Sequence, residues 1–249
     1  MSTREIVDAV AYALPIADAA TETVTVGVRS KIRYLPGIPT MHETTAVPEM
    51  LAVVQREQLL GVDTMGFEVP FVKLPLGAKR FPMCDAVLHF GSGIHRQSWA
   101  VQFKRIQFLG DNGKNNDYGF QKLLSPYLKD RSLLHDCESL RRSGLGDRQF
   151  VIGYSFRHSL PLLTTALERH PQHADRIKNA IEVCQREISG ELNPEVGVSM
   201  VNNFLQSEGL VFDHATAKFA GAWRHPCGGD GLIFGWELKP EPLQARRLD

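Results

Sequence analysis

The chain has 249 residues, of which 43% are hydrophobic and 22% are charged. This composition is ordinary for a globular protein and excludes a chain that is disordered as a whole. Its 28 basic and 28 acidic residues cancel to a net charge of zero, so any nucleic-acid binding must come from a local concentration of positive charge.

Such a concentration exists in the middle of the chain. Residues 96–157 contain eleven Lys and Arg against six Asp and Glu. A solvated helix face explains part of this excess, and that interpretation stays open beside a nucleic-acid surface.

The four cysteines are scattered and form no Cys-x-x-Cys pair, which argues against a zinc ribbon and against a disulfide framework. His225 and Cys227 are the nearest approach to a metal-ligand pair, and a zinc-dependent protein built on them is a weaker alternative. We expect a cytoplasmic protein without a membrane segment, because the chain shows neither a signal peptide nor an apolar run of membrane-spanning length.

Residues 1–46 are predicted to form an N-terminal addition. Ser2 and Glu5 have the spacing of a helix capping box, and apolar residues follow at helical spacing. Residues 23–28 alternate in the manner of a strand, before prolines interrupt the pattern.

Residues 47–157 predict the order helix, three strands, helix, strand. The first helix has Pro48 in its first turn and ends at Gly61. The strands cover residues 67–74, 83–90 and 99–106, and a second helix from about residue 118 to 142 precedes a strand at 148–156.

Residues 158–249 are predicted to form a mainly helical C-terminal extension packed on this core. Its elements are helices at about residues 160–169, 174–188 and 194–207 and a last strand at 231–238.

Two of the central strands bring chemically useful side chains together. A hairpin centred on Gly93 and Ile94 sets Asp85 opposite Gln102, and the period of two places Lys104 on the same face as Gln102. Directly opposed Cβ atoms lie about 4.5–5.5 Å apart. A slip of one residue would separate these side chains onto opposite faces, so the register is a testable expectation.

The element order and the residues Asp85, Gln102, Phe103 and Lys104 together resemble the PD-(D/E)XK nuclease superfamily. The run Val101-Gln102-Phe103-Lys104-Arg105 is especially similar to the Gln-x-Lys variant found in Mrr-type restriction enzymes. This resemblance covers residues 47–157. It implies an α/β fold with a restriction-endonuclease-like αβββαβ core around a mixed central sheet.

The resemblance also implies a function, namely Mg²⁺-dependent hydrolysis of DNA phosphodiester bonds in restriction or defence, with Mn²⁺ as a possible substitute metal. Asp85 and Gln102 would supply oxygen ligands, and Lys104 would orient or help deprotonate the attacking water. A homodimer would present two active sites to a duplex.

Two features depart from the family pattern. Pro82 is not adjacent to Asp85, which matters little, whereas Gln102 in place of an acid leaves the metal one negative charge short. A third carboxylate from the first core helix would restore that charge. Glu49 and Glu57 are the candidates, and Glu57 is preferred because it lies later in the helix.

Basic side chains after the motif strand are candidate phosphate contacts, although each one alone is more often an ordinary surface charge. They are Lys114, Lys122, Arg141, Arg142 and Arg157. The alternative function is a non-catalytic nucleic-acid-binding or partner-binding protein on the same scaffold.

Overall fold

The computed structural model describes residues 2–27, 31–72, 82–114, 123–125, 132–186, 191–192 and 194–240. A six-stranded mixed sheet lies at its centre, with helices on both faces. None of the helices in these ranges is long and apolar enough to cross a membrane.

The described part contains six α-helices and eight strands. The helices are α1 (Thr3–Ala20), α2 (Glu43–Arg56), α3 (Leu133–Arg142), α4 (Leu160–Arg169), α5 (Ala174–Arg186) and α6 (Pro194–Ser207). The strands are β1 (Thr64–Pro70), β2 (Met83–Phe90), β3 (Gln97–Ile106), β4 (Arg148–Phe156), β5 (His158–Ser159), β6 (Glu191–Leu192), β7 (Phe212–Ala222) and β8 (Gly229–Leu238).

The main sheet has the order β1-β2-β3-β4-β8-β7. Strands β3 and β4 are parallel, and every other neighbouring pair is antiparallel. Because parallel neighbours need a crossover connection, the chain between β3 and β4 passes over one face of the sheet, and this segment includes α3.

Apolar side chains cover both faces of the sheet. Helices α1 and α2 pack on one face, where Val101, Phe103 and Ile152 are buried. Helices α3 and α6 pack on the other face, where Ala100 and Val151 are buried. The sheet is therefore the middle layer of an α/β/α arrangement.

The predicted αβββαβ order is present in the described residues as α2, β1 to β3, α3 and β4. The predicted hairpin register is confirmed, because the β2–β3 ladder pairs Ala86 with Val101 and Phe90 with Gln97. Gly93 at the turn has a φ of 59°, a backbone conformation that glycine adopts without strain.

The terminal segments belong to the same core rather than lying beside it. Helix α1, confirmed with its capping box at Ser2 and Glu5, buries residues such as Ile6 and Leu14 against the sheet. The C-terminal segment contributes β8, which confirms the strand predicted at residues 231–238, and the additional strand β7, and β8 pairs directly with β4.

Some sequence-based boundaries were wrong. Strand β7 was not predicted, because Ala, Gly, Lys and Asp in its sequence have low strand propensity, and pairing with β8 overrides that preference. Of the strand predicted at residues 23–28, the described part, residues 23–27, contains an isolated bridge from Val26 to Arg33 instead of a strand, and residue 28 lies outside the described ranges. The first core helix begins at Glu43, so Pro48 lies inside it. Part of the helix predicted from residue 118 falls at 118–122 and 126–131, outside the described residues.

A buried acid joins three elements of the fold. Glu237 of β8 accepts hydrogen bonds from Arg148 Nε of β4 at 2.7 Å and from Thr3 Oγ1 of α1 at 3.0 Å, and its carboxylate lies 3.1 Å from Lys239 Nζ. Burial alone would raise the pKa of Glu237, but these hydrogen bonds outweigh burial and lower the pKa to about 2.

Glu237→Gln should therefore destabilise the protein at neutral pH, by about 1–3 kcal/mol. A carboxyl group whose pKa is lower in the folded state stabilises fully above its unfolded pKa and loses this effect as the pH falls toward the folded pKa. We expect the difference from wild type to shrink between about pH 4.5 and pH 2 in urea unfolding. A difference that stays constant across this range would contradict the assigned role of Glu237.

Candidate functional site

The candidate site lies where β2 and β3 separate. Their ladder runs from Phe90–Gln97 to Ala86–Val101. Beyond Val101, β3 stays paired with β4 as far as Ile106, and β2 stays paired with β1 as far as Met83. Asp85 and Gln102 are the first residues beyond the last pair of this ladder, so they lie at the opening of this fork.

Two carboxylates accept the main-chain N–H groups of β3 inside the fork. Phe103 N donates to Asp85 Oδ2 at 2.6 Å, and Arg105 N donates to Glu43 Oε1 at 2.6 Å. Alternate N–H groups of a strand point to the same edge, so both acids line the edge of β3 that faces β2. Asp85 comes from β2 and Glu43 from the first turn of α2.

The position of Glu43 is supported by Arg105. The Arg105 guanidinium donates to the carbonyl oxygen of Pro39 at 3.0 Å and to that of Met41. These bonds fix the segment that leads into α2, and they bring the first residue of that helix to the end of β3.

Gln102 and Lys104 lie on the sheet face that α3 covers. Lys104 Nζ lies 2.5 Å from Asp136 Oδ2, and the two side chains are only 16% and 12% exposed. Gln102 Oε1 is buried and has no hydrogen-bond partner among the described residues. This buried amide oxygen is an acceptor that remains available to a ligand.

The site has an excess of negative charge. Burial, together with the carboxylates of Glu43, Glu68 and Asp136, raises the pKa of Asp85 to about 7, although the hydrogen bond from Phe103 N opposes this shift. Burial would lower the pKa of Lys104, but the hydrogen bond and charge of Asp136 together with the charges of Glu43 and Asp85 outweigh burial and raise it, so Lys104 is protonated at neutral pH. A bound cation would relieve the repulsion among the acids.

Glu68 adds backbone strain on the outer side of the fork. The β1–β2 ladder pairs Phe67 with Ala86 and Val69 with Cys84, and between these pairs Glu68 adopts a φ of 48°. A non-glycine residue in this left-handed region costs free energy, and such strain concentrates at functional sites. The irregularity lies beside Asp85.

The donor set fits a hard divalent cation. Asp85, Glu43 and Gln102 offer carboxylate and amide oxygens, which are the atoms that Mg²⁺ and Mn²⁺ prefer. Within the described ranges, no three His, Cys, Asp or Glu side chains already converge on one ion position. Among these donors in the described residues, Gln102 Oε1 has no protein partner, whereas Asp85 and Glu43 each accept a main-chain N–H.

The two acids predicted from sequence as third ligands lie elsewhere on α2. Glu57 follows the last turn and pairs with Arg56 at 2.9 Å, and a rise of 1.5 Å per residue puts it about 20 Å along the helix from Glu43. Glu49 accepts a hydrogen bond from the Thr23 hydroxyl at 3.2 Å. Sequence reasoning missed Glu43 because the helix was expected to begin at Pro48.

The candidate phosphate contacts are mostly paired with acids. Arg141 and Arg142 both bind Glu138, at 3.1 and 2.9 Å, and Arg157 binds Glu195 at 3.1 Å. Lys114 is exposed. Lys122 lies outside the described residues.

The weaker alternative is a zinc site on His225 and Cys227. In the structure these two residues belong to an internal hydrogen-bond network. Nε2 of the buried His225 lies 3.1 Å from Asp111 Oδ1, and its Nδ1 accepts from Cys227 N at 3.0 Å. Both ring nitrogens are thus engaged by protein groups.

Comparisons of this chain with protein-family models, with curated proteins and with solved structures find no match.

The raised pKa of Asp85 predicts a stability effect opposite in sign to that of Glu237. A carboxyl group whose pKa rises on folding destabilises the folded state as the pH rises from its unfolded pKa, 3.8, toward about 7. Asp85→Asn removes this charge and keeps an acceptor for Phe103 N. In chelator-treated buffer we expect it to stabilise the protein by about 1–4 kcal/mol at pH 8 and by almost nothing at pH 4.

Urea unfolding of wild type and Asp85→Asn across this pH range measures the effect. Glu49→Gln, which removes an acid at a distance from the fork, is the control. An Asp85→Asn effect that does not change with pH would contradict the buried, repelled carboxylate.

Proposed function

We propose that the protein is a metal-dependent endonuclease that hydrolyses DNA phosphodiester bonds. The observation that carries the proposal is the fork between β2 and β3, where Asp85 and Glu43 both accept main-chain N–H groups of β3. The same strand carries Gln102, whose Oε1 has no hydrogen-bond partner among the described residues, and the buried Lys104. The strand and its two acids thus supply oxygen atoms that a cation could use and one positively charged side chain.

In the proposed reaction, one set of residues binds the metal and Lys104 acts on the water and the phosphate. Asp85, Glu43 and Gln102 would hold Mg²⁺ or Mn²⁺, and Glu43 supplies the negative charge that Gln102 lacks. When bound, such a metal polarises the phosphate and promotes formation of hydroxide from water near neutral pH.

Lys104 would act as a hydrogen-bond donor and a positive charge. Its raised pKa keeps the ammonium protonated at neutral pH, so it would orient the attacking water and stabilise negative charge that develops on the phosphate. A protonated ammonium offers three donors and no acceptor, and it does not take a proton from water. The general-base role is thus less favoured for Lys104 than the orienting role.

We propose double-stranded DNA as the substrate and a homodimer as the acting form, because cutting both strands of a duplex needs two sites. The positive excess in residues 96–157 supports a phosphate-binding surface around the fork. Within it, the exposed Lys114 and Arg142, whose side chain is 70% exposed, are the more accessible contacts.

One observation favours the alternative, a non-catalytic nucleic-acid-binding or partner-binding protein. Asp85 and Glu43 each already accept a main-chain N–H, and Lys104 is neutralised by Asp136. These residues can therefore stabilise the fork without a metal.

Cleavage of supercoiled plasmid separates the two functions. We expect nicking with Mg²⁺ or Mn²⁺ and none with chelator. Asp85→Asn and Lys104→Met should each lower the rate at least about a hundredfold, because each removes a group that acts on the reacting phosphate. Equal nicking by wild type and both variants would show that the activity comes from another site or from a contaminant. DNA binding without cleavage by wild type would favour the alternative.

The position of Glu43 at the fork yields a second test. Glu43→Gln should weaken Mn²⁺ binding and cleavage about ten- to a hundredfold, because it removes a carboxylate from the proposed ligand set. Glu57→Gln removes the same charge from the far end of the same helix and is the matched control. Calorimetric titration with Mn²⁺ and plasmid nicking measure the two effects. A larger loss in Glu57→Gln than in Glu43→Gln would reject Glu43 as the third ligand.

A further inference from the structure

We propose that Asp136 is a positioning residue that holds the Lys104 ammonium away from the cation position in the fork. The inference rests on the proposed nuclease function. Asp136 lies on α3 and joins the acids Asp85, Glu43 and Glu68 around the fork. It binds Lys104, and it would affect metal binding only through the position of that lysine.

Helix α3 carries Asp136 to the sheet in a fixed orientation. Ser132 caps the helix, and its Oγ accepts from His135 N at 3.2 Å, while Ser132 O accepts from Asp136 N at 3.1 Å. The neighbouring side chains Leu133 and Cys137 are fully buried against the sheet. The first turn of α3 is therefore anchored, and Asp136 faces the strand that bears Lys104.

The contact between the two side chains is close and sheltered. Lys104 Nζ lies 2.5 Å from Asp136 Oδ2, with side-chain exposures of 16% and 12%. Removing a Lys–Asp pair from water carries a desolvation penalty, and a well-packed apolar pair at such a position is often equally stable. The stability of the fold thus gives little reason for this particular pair.

Competition between Asp136 and the fork acids for Lys104 gives a better reason for the Lys104–Asp136 pair. The carboxylates of Asp85 and Glu43 act electrostatically on Lys104 from the fork. A lysine side chain has a long flexible stem, so without Asp136 its ammonium would turn toward these two acids. There it would neutralise the charge that a divalent cation needs. Asp136 binds the ammonium from the α3 side and leaves the fork acids to the metal.

Two variants separate the effect on metal binding from the effect on cleavage. Asp136→Asn frees Lys104 to pair with the fork acids, so Mn²⁺ affinity should fall about tenfold and the nicking rate at subsaturating metal should fall with it. Adding Lys104→Met removes the competing ammonium. The double variant should regain wild-type Mn²⁺ affinity and stay inactive, because Lys104 is needed for cleavage.

Glu138→Gln is the matched control. It removes a carboxylate from the same helix, where Glu138 binds Arg141 and Arg142 instead of Lys104, and it should leave Mn²⁺ affinity unchanged. Thermal unfolding of each variant shows whether it is folded. Rescue of Mn²⁺ binding in the double variant would show in addition that the protein folds and binds metal without the Asp136 carboxylate.

Mn²⁺ binding, measured by calorimetry or by electron paramagnetic resonance, decides between the outcomes. Wild-type affinity and activity in Asp136→Asn would overturn the positioning role and leave the nuclease proposal intact. A loss in Asp136→Asn that Lys104→Met does not rescue would also overturn it, because the lost charge alone would then explain the effect. A wild-type protein that neither binds Mn²⁺ nor nicks DNA would overturn the nuclease proposal and this inference together.

Discussion

The separation of β2 from β3 beyond Val101 is the constraint on which the site depends. β3 keeps β4 as a partner on one edge, so its other edge presents N–H groups that β2 no longer pairs. Buried N–H groups need acceptors. Asp85 and Glu43 supply them from two different elements, and this requirement brings two acids to one place. The backbone of β3 and the proposed chemistry thus use the same two side chains.

Two acids in this protein show how a carboxylate satisfied by protein groups differs from one in the proposed site. Glu237 receives donors from Arg148, Thr3 and Lys239, and its pKa falls to about 2. Asp85 is half-buried among other acids with one main-chain donor, and its pKa rises to about 7. The first environment is complete with protein groups alone. Around Asp85, burial and the acids Glu43, Glu68 and Asp136 oppose ionisation, and perturbations of this kind concentrate where proteins bind ligands or catalyse reactions.

The sequence predicted the local parts of the site and missed the long-range ones. The alternation in β2 and β3 and the glycines between them set the register, because both signals lie within about twenty residues of each other. Glu43 was missed because Pro48 suggested a later helix start, whereas buried residues on both sides of Pro48 favour the longer helix. Strand β7 was missed because its stability comes from β8. The pairing of Lys104 with Asp136 depends on tertiary packing across thirty-two positions, for which one sequence carries no local signal.

The topology nevertheless limits what can lie over Lys104. A parallel β3–β4 pair requires a crossover, and crossovers between parallel strands are almost always right-handed, so the intervening helix covers one predetermined face. Lys104 and Gln102 point to that face because the strand period places them with Ala100, which packs under the same helices. A helix in that position would bury the lysine whether or not the site were active. The acid at position 136 is the local feature that keeps the buried ammonium charged and directs it to one side of the fork. The architecture therefore explains the burial of Lys104, and Asp136 explains its orientation.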